Sequence, residues 1–294
     1  MRSTLEMLTV GCRQAGLTAD GAELIRAGEN TLYRLRAGVV ARVSRQGRRE
    51  AADKEVRVSH WLQQVGVRVV EALPDIDQPV EVDGRAVTFW RELPDHREGD
   101  PEHVADALRH LHQLHQPPPE LDLPPLDPFV RLEERMTQTT VFDEAERRWL
   151  LDHLNHLTQQ YELLPLGLPR SAVHGDAWAG NIVTTSRDQS PVLLDLERFA
   201  HGPPEWDLAS VAVDYLTFET TPPGSWAQFC HRYGHDVTDW SGYQVLRDAR
   251  ELRKVTFAAQ MAGHHPRLRQ QARHRLACIR GQHGPRPWQW PTMA

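Results

Sequence analysis

Cysteine is scarce in this sequence, and the few cysteines are far apart. The 294 residues include three of them, Cys12, Cys230 and Cys278, without the close spacing of a zinc-binding pair. We therefore expect reduced structural thiols. The spacing argues against both a small disulfide-stabilised fold and a cysteine metal centre.

Long apolar runs are also missing. Residues 1–17 have apolar residues at helical spacing but lack the continuous apolar stretch of a signal peptide, and no later run approaches the length of a membrane span. We therefore expect a cytoplasmic protein without a membrane partner. What remains is an ordinary soluble composition, with 40% hydrophobic and 25% charged residues, in a chain long enough for two lobes.

The net charge of −6 is unevenly distributed along the chain. Residues 245–294 carry ten Lys and Arg against two Asp and Glu, so the remainder is strongly acidic. The basic residues follow a helical pattern, which indicates a solvated helix face and argues against a nucleic-acid partner. The composition leaves a monomer and a homodimer equally open.

The chain is organised around residues 173–181, VHGDAWAGN. Their H-x-D-x-x-x-x-N spacing is that of kinase-type phosphoryl transfer, in which the aspartate meets the acceptor hydroxyl and the asparagine holds a metal ion. Asp176 would accept or orient the hydroxyl proton. Asn181 and Asp195, which follows fourteen residues later, would hold Mg²⁺, since this ion prefers hard oxygen ligands.

The local pattern predicts strands around these residues. Residues 171–173, 182–185 and 192–197 have the composition of short strands, the last two joined by a polar turn. Along residues 192–197, period-two alternation places Asp195 and Glu197 on the same face. We therefore expect two carboxylates on one side of a buried strand.

The segments VHGDAWAGNIV and VLLDLERFAHGPPEWDLA together resemble the catalytic core of the aminoglycoside phosphotransferase and choline kinase-like family, relatives of protein kinases. The resemblance implies that Asp176 is the catalytic base and that Asn181 and Asp195 are metal ligands. It further implies that Asp207, at the start of a helix, braces the catalytic loop.

The resemblance also implies a fold and its division. We expect an α+β, bilobal, protein-kinase-like fold with a small antiparallel-sheet N-terminal lobe, residues 1–93, which binds the nucleotide. A helical C-terminal lobe, residues 94–294, would carry catalysis and bind the acceptor. Residues 144–164 form the longest periodic segment and are predicted to be the central helix of this lobe.

A metallophosphoesterase also uses Gly-Asp and Gly-Asn pairs, but it needs an upstream D-x-H and several metal-binding histidines. The sequence lacks that set. His110, His112 and His115 lie on one predicted helix without the i, i+4 spacing of a helical metal site, so we interpret them as packing or solvated residues.

The N-terminal region reads as strands and turns. Residues 22–26, 32–35 and 39–45 are predicted strands, and the turn at residues 27–31 would lie over the nucleotide phosphates in the resembled fold. Gly28 and Asn30 are the candidate phosphate contacts, although one glycine makes a poor glycine-rich loop.

A buried ion pair is predicted between the third strand and the following helix. Glu55 lies on the core-facing stripe of a helix over residues 50–65, where a carboxylate needs a cationic partner, and Arg42 is the candidate. In the resembled family a strand lysine and a helix glutamate occupy these places and grip the nucleotide phosphates. Arginine is longer and planar, so this departure favours an inactive relative.

Asp83-Gly84 indicates a tight hairpin whose second strand runs into residues 91–94. In the resembled fold this strand end is the hinge that contacts the adenine. Phe89, Trp90, Glu92 and Leu93 are therefore the predicted base contacts, with ATP and GTP both open as the donor.

The acceptor would bind in the helical tail. The acidic side chains of Asp214, Glu219, Asp236 and Asp239 would attract a cationic acceptor such as an aminoglycoside, or they are scattered surface acids.

Two functions from different classes remain, besides a kinase acting on a macromolecule, for which the basic tail is the only indication. The first is a small-molecule kinase that transfers the γ-phosphoryl group of ATP or GTP to a hydroxyl of an antibiotic such as an aminoglycoside, or of a related amino alcohol or sugar. The second is a nucleotide-binding pseudokinase with a scaffold or regulatory role, which the arginine at position 42 favours. Retention of Asp176, Asn181 and Asp195 argues for the first, because a scaffold needs none of them.

Overall fold

The computed structural model describes residues 2–28, 30–186, 188–218 and 221–291. The chain folds into two compact units. The first unit comprises residues 1–111, 116–124 and 179–199, and the second comprises residues 112–115, 125–178 and 200–294. The lobe boundary predicted between residues 93 and 94 stays a prediction.

Helices and strands occupy the following bounds. Among the described residues, the α-helices are α1 (Thr4–Gln14), α2 (Arg49–Gln64), α3 (Pro101–His112), α4 (Leu132–Gln138), α5 (Glu144–Glu162), α6 (Glu205–Ala212), α7 (Ser225–Tyr233), α8 (Tyr243–His264) and α9 (Arg269–Ile279). The strands are β1 (Glu23–Arg26), β2 (Thr31–Leu35), β3 (Val39–Gln46), β4 (Val80–Val82), β5 (Arg85–Arg91), β6 (His96–Glu98), β7 (Ser171–Val173), β8 (Ile182–Thr185), β9 (Pro191–Leu193) and β10 (Ala200–Gly202). The predicted α+β class is confirmed, with an antiparallel sheet in the N-terminal part and helices dominating the C-terminal part.

A five-stranded antiparallel sheet of order β1-β2-β3-β5-β4 forms the centre of the first unit. Alternation along β3 buries Val39, Ala41 and Val43 in the same core as Met7 and Leu8 of α1, so α1 covers one face. Ser3 and Glu6 form a capping box that fixes where α1 begins.

The hairpin of β4 and β5 turns at Asp83 and Gly84, as the sequence predicts. Both residues have positive φ, 50° and 74°, the conformation that a two-residue type I′ turn requires. β5 then continues toward the residues predicted to contact the base. On the other face of the sheet, Val56 of α2 packs with Trp90 and Ala72.

A second sheet, of order β6-β8-β9, also belongs to the first unit. The predicted strand over residues 192–197 is wrong beyond its second residue, because β9 ends at Leu193. Asp195 adopts a left-handed conformation with φ 52°, and Leu196–Arg198 forms a 3₁₀ turn. Asp195 and Glu197 therefore do not share a strand face. Period-two alternation does not apply to them.

The second unit is mainly helical. Leu150 and Leu154 of α5 share a core with Val255 of α8 and Leu276 of α9. The periodic segment over residues 144–164 forms α5, of 19 residues, and α8 is longer, with 22 residues. A π-helical turn at Val213–Thr217 continues α6, and β7 pairs with β10. Among the described residues, no helix combines the length and the apolar character needed to cross a membrane.

Candidate active site

The predicted catalytic loop follows β7 directly. The strand is buried along its whole length, and Gly175 turns the chain at φ 78°, a conformation that favours glycine. Asp176 comes next, with a side chain that is 33% exposed. The sequence thus places the carboxylate at the first accessible position after a buried strand.

Asp207, at the start of α6, holds this loop in place. Its carboxylate accepts hydrogen bonds from the backbone amides of His174 (2.6 Å) and Gly175 (2.9 Å). The indole of Trp206 donates to the Gly175 carbonyl at 2.9 Å. The polar backbone before Asp176 is satisfied by two adjacent residues of one helix, as the predicted bracing role of Asp207 requires.

His112 completes this buried network. One ring nitrogen lies 3.1 Å from the Asp207 carboxylate, and the other lies 2.9 Å from the Tyr233 hydroxyl. The sequence assigned His112 to packing or solvation, and its spacing gives no signal of a partner 95 residues away. The structure makes His112 a link between α6 and α7 within the second unit.

Positively charged side chains of helix α8 surround the Asp176 carboxylate. Arg250, whose side chain is only 3% exposed, donates a hydrogen bond of 2.5 Å to the Asp176 carboxylate. Burial raises the pKa of Asp176, but the charges of Arg250, Arg253 and Lys254 outweigh burial and hold that pKa well below its usual range. The carboxylate is ionised throughout the physiological pH range.

The two predicted metal ligands lie in the first unit, whereas Asp176 lies in the second. Asn181 ends a 3₁₀ turn, and its carbonyl accepts a 2.8 Å hydrogen bond from the Leu194 amide, so the residue before Asp195 is tied to Asn181. The left-handed φ of Asp195 is a strained conformation of the kind that clusters at functional sites. One amide and one carboxylate fit Mg²⁺, which usually takes one or two carboxylates and completes its shell with phosphate and water.

Among the described residues, no group of three or more His, Cys, Asp and Glu side chains converges as a metal site. A pre-built ligand cage of the kind that holds a structural zinc ion is therefore not found in the part of the chain that the structure describes. The Asn181 and Asp195 pair suits an ion that arrives with a nucleotide.

Arg42 and Glu55 form the predicted ion pair. Their side chains, 12% and 4% exposed, approach to 2.7 Å, and the guanidinium lies 5.6 Å from the centre of the Trp90 ring. Burial lowers the pKa of Arg42, but the charge of Glu55 outweighs it and raises that pKa above its ordinary value. The arginine that replaces the family's lysine is therefore a fixed, fully charged group.

Asn30 lines a shallow cleft together with Arg42, Glu55, Arg48 and Glu197. Gly28, the other predicted phosphate contact, lies in the turn between β1 and β2, and the structure does not place it in this lining. Glu29 lies outside the described residues. The cleft thus joins one candidate from the turn to the arginine and glutamate pair.

The residues predicted to contact the base differ in burial and in the partners they already have. Phe89 is fully buried; its amide donates to the Gln78 side chain at 2.7 Å, and its carbonyl accepts from Leu73 and Gln78. Its backbone groups are therefore already used by residues of the segment that precedes β4. Trp90 is buried, Glu92 pairs with Arg34 at 2.6 Å, and Leu93 follows the end of β5. Their base contacts stay predictions.

The sequence reasoning missed Lys54. Its ammonium donates hydrogen bonds to the carbonyls of Glu197 (2.8 Å) and Phe199 (2.9 Å) and so holds the turn that follows Asp195. Burial lowers the pKa of Lys54 to about 8. Arg48 binds the Glu197 side chain of the same turn. A compositional signal was present, since Lys54 and Lys254 are the only lysines in the chain.

The acidic residues predicted to attract a cationic acceptor have other partners. Asp214 lies 3.4 Å from the Lys254 ammonium, and Asp236 accepts from the Thr238 amide at a 3₁₀ N-terminus. Asp239 is exposed on that same turn, and Glu219 lies outside the described residues. The scattered-acid interpretation therefore describes Asp236 and Asp239, while Asp214 belongs to the charged network beside Asp176.

Solved structures share this fold at low sequence identity. A microcompartment-associated aminopropanol kinase is 17% identical, with a TM-score of 0.70 over 94% of this chain and 97% of that chain. A choline/ethanolamine kinase family protein from Mesorhizobium loti is 16% identical, with a TM-score of 0.61 over 90% and 88%. An aminoglycoside phosphotransferase from Streptomyces rimosus is 18% identical, with a TM-score of 0.56 over 84% and 97%. These likenesses confirm the predicted kinase-like fold.

A sequence comparison identifies the family. No curated protein sequence matches the chain significantly. The model of the phosphotransferase enzyme family (APH), however, matches residues 22–248, well over half of the chain, including residues 173–181 and the residues around Arg42 and Glu55. The chain belongs to the phosphotransferase enzyme family, as its motifs predicted.

Proposed function

We propose that this phosphotransferase is a small-molecule kinase that moves the γ-phosphoryl group of ATP to a hydroxyl group of its acceptor. GTP is the second donor to test. The observation that carries the proposal is the braced loop: Asp207 fixes the backbone before Asp176, and the Asp176 carboxylate is held ionised at an accessible position. Phosphoryl transfer needs this kind of positioning more than covalent chemistry.

In the proposed reaction the acceptor oxygen bonds to the γ-phosphorus while the bond to the β–γ bridging oxygen breaks, and the nucleotide diphosphate leaves. Asp176 orients the hydroxyl by accepting its hydrogen bond and receives the proton as the new bond forms. Because neighbouring cations hold the pKa of Asp176 below its usual range, the carboxylate is a weak base, and its main contribution is orientation.

Asn181 and Asp195 would hold Mg²⁺, whose role when bound is to neutralise charge on the transferring phosphate. The chain's own contribution is to fix the ligands. The 2.8 Å hydrogen bond from Leu194 to Asn181 and the Lys54 contacts to the turn after Asp195 both restrain this segment. We propose Arg42, with Glu55, as the cation that meets the nucleotide phosphates, and Asn30 and Gly28 as neighbouring contacts.

We propose three classes of acceptor: an antibiotic such as an aminoglycoside, an amino alcohol, or a sugar. The names of the similar structures divide between the first two. A role in antibiotic resistance and a cytoplasmic location are parts of this proposal, as is base recognition by Trp90, Glu92 and Leu93.

A pseudokinase is the second candidate, and Arg42 is the specific observation that favours it. The guanidinium is already paired with Glu55 at 2.7 Å and packed on Trp90, so it has less freedom than a lysine to meet phosphate. A protein of this kind would bind nucleotide and transfer nothing.

The test is nucleotide consumption by the purified protein with Mg²⁺, with ATP and GTP in parallel, across aminoglycosides, amino alcohols and sugars. Asp176→Asn is the matched blank, since it should leave nucleotide binding intact and lower turnover by roughly 10² to 10⁴-fold. Acceptor-dependent consumption that the variant loses supports the kinase. Full turnover in Asp176→Asn would contradict the assignment of Asp176 as the base. Nucleotide binding by the wild-type protein without any turnover would support the pseudokinase.

A further inference from the structure

Lys254, one of the chain's two lysines, occupies a site with the chemistry of an ammonium receptor. Its amino group lies 3.4 Å from the Asp214 carboxylate, 5.4 Å from the centre of the Phe218 ring and 5.9 Å from that of Trp178. A carboxylate combined with aromatic faces is the arrangement by which proteins bind alkylammonium ligands. Here the side chain of the protein itself fills that position.

This position adjoins the proposed catalytic base. Trp178 follows Asp176 by two residues, and Arg250, which binds Asp176 at 2.5 Å, lies one turn before Lys254 on α8. The Lys254 charge also acts directly on the Asp176 carboxylate. All of these residues belong to the second unit, so their arrangement depends on that unit alone.

The described carboxylates around this position each face a cation or a backbone amide of the protein, although the buried Oδ1 of Asp214 makes no hydrogen bond among the described residues. Asp176 binds Arg250, Asp214 faces Lys254, and Asp207 accepts two backbone amides beside His112. An acceptor bearing an ammonium group would therefore compete with a built-in cation for a carboxylate. An unpaired buried charge is strongly unfavourable, so displacing either internal cation costs binding free energy.

The local charge balance also disfavours a further cation at this position. Three cationic side chains, Arg250, Arg253 and Lys254, act on Asp176. The buried Nε of Arg250, from a residue that is 2% exposed, has no hydrogen-bond partner among the described residues. Burial lowers the pKa of Lys254, and the Asp214 charge opposes that effect. In either protonation state the amino group fills the position.

We propose that Lys254 determines acceptor specificity by occupying the ammonium position beside Asp176, so that the phosphorylated substrate is an alcohol without an amine, such as a sugar, a polyol or a hydroxy acid. This inference rests on the proposed kinase function and narrows its acceptor. It removes aminoglycosides and amino alcohols from the classes left open above. Lys254 acts here as a built-in substitute for a ligand's amine.

The first test compares matched acceptors that differ by one amine: glucose with glucosamine, and propane-1,2-diol with 1-amino-2-propanol. We expect kcat/KM of the wild-type protein to favour the amine-free member by about tenfold or more, the scale of one unmatched polar group. Lys254→Ala should lower that ratio at least about tenfold by vacating the position. Arg247→Ala, on the same helix and paired with Asp248, should leave the ratio unchanged.

The second test does not depend on turnover, so it separates this inference from the kinase proposal. Methylammonium chloride should raise the melting temperature of Lys254→Ala above its value in sodium chloride at equal ionic strength. It should not do so for the wild-type protein, or for Lys254→Met, which fills the space without an amine. A wild-type preference for amine-bearing acceptors, or a Lys254→Ala protein indifferent to methylammonium, overturns the inference. If Lys254→Ala does not fold, Lys254→Ser serves in its place.

Discussion

Arg250 donates a 2.5 Å hydrogen bond to Asp176 from a side chain that is almost wholly buried. The two residues are separated by 74 positions and meet within the second unit. The contact fixes the orientation of the proposed base and, together with Arg253 and Lys254, keeps it ionised. An aspartate held in this way has a folded-state pKa below its unfolded value, so its charge is lost only at strongly acidic pH.

The pH dependence of catalysis should report this contact. In the wild-type protein, kcat/KM should show no acid limb from Asp176 near or above its ordinary pKa of about 3.9. Removing Arg250 leaves burial less opposed, so Arg250→Ala should move the acid limb upward by roughly 1 to 3 pH units. The measurement is a kcat/KM profile from pH 9 down to the lowest pH at which the protein stays folded, so that an acid limb below pH 4 is recorded.

A purely structural role for Arg250 predicts something different. Arg250→Lys keeps the positive charge and should keep the acid limb low, whereas a structural defect would lower activity equally at all pH values. Arg247→Ala is the matched control on the same helix. An unchanged profile in Arg250→Ala would mean that the contact does not set the ionisation of Asp176.

The turn after β7 could be predicted from sequence because its signal is local. The spacing of His174, Asp176 and Asn181 lies within one short segment, and Gly175 and the Asp83-Gly84 turn each require positive φ. The Arg42 and Glu55 contact could be predicted too, because alternation on a strand and a helical stripe show which side chains face inward.

The rest depends on contacts between residues far apart in sequence. The strand over residues 192–197 was wrong because Lys54, more than 140 positions earlier, binds the carbonyls of Glu197 and Phe199 and holds a turn. His112 and Arg250 have no local signal that distinguishes them from neighbours on their helices, and the rarity of lysine marks Lys254 without indicating its partner. Their roles follow only from tertiary packing, which periodicity does not determine.

Asp207 should contribute more to stability than an ordinary buried carboxylate. Asp207→Ala leaves the amides of His174 and Gly175 buried without an acceptor, and each such group costs about 1–3 kcal/mol. We expect a large drop in the free energy of unfolding by denaturant titration, with a smaller drop for Asp207→Asn, which retains one acceptor. Asp236→Ala, which removes the cap of a 3₁₀ turn, is the control. Equal losses in all three variants would contradict the bracing role.

Lys54 should control metal-dependent activation through the turn after Asp195. Lys54→Met retains the apolar stem and removes the donor to the Glu197 and Phe199 carbonyls, at a cost of about 1–3 kcal/mol. We expect the Mg²⁺ concentration for half-maximal activity to rise several-fold, the range that such a cost allows. Arg57→Met, one turn along α2 and paired with Asp53, should leave the Mg²⁺ curve unchanged. A Mg²⁺ curve that Lys54→Met leaves unaltered would show that the turn is held by other contacts.

Arg42→Lys decides between the kinase and the pseudokinase. Lysine restores the residue that the resembled family uses at this position and keeps the positive charge beside Glu55, whose side chain is 4% exposed. If the wild-type protein is a kinase adapted to arginine, both proteins should turn over nucleotide, and Arg42→Lys should remain within about tenfold, because Arg and Lys differ in geometry more than in charge. If the protein is a pseudokinase disabled by the arginine, the wild type should bind nucleotide without turnover and Arg42→Lys should acquire it. Nucleotide affinity by calorimetry and acceptor-dependent consumption distinguish these results.

Glu55→Ala provides the stability reference for this test. It leaves Arg42 buried without a carboxylate partner, which should lower the free energy of unfolding by about 3–5 kcal/mol. Arg42→Lys should not show this loss.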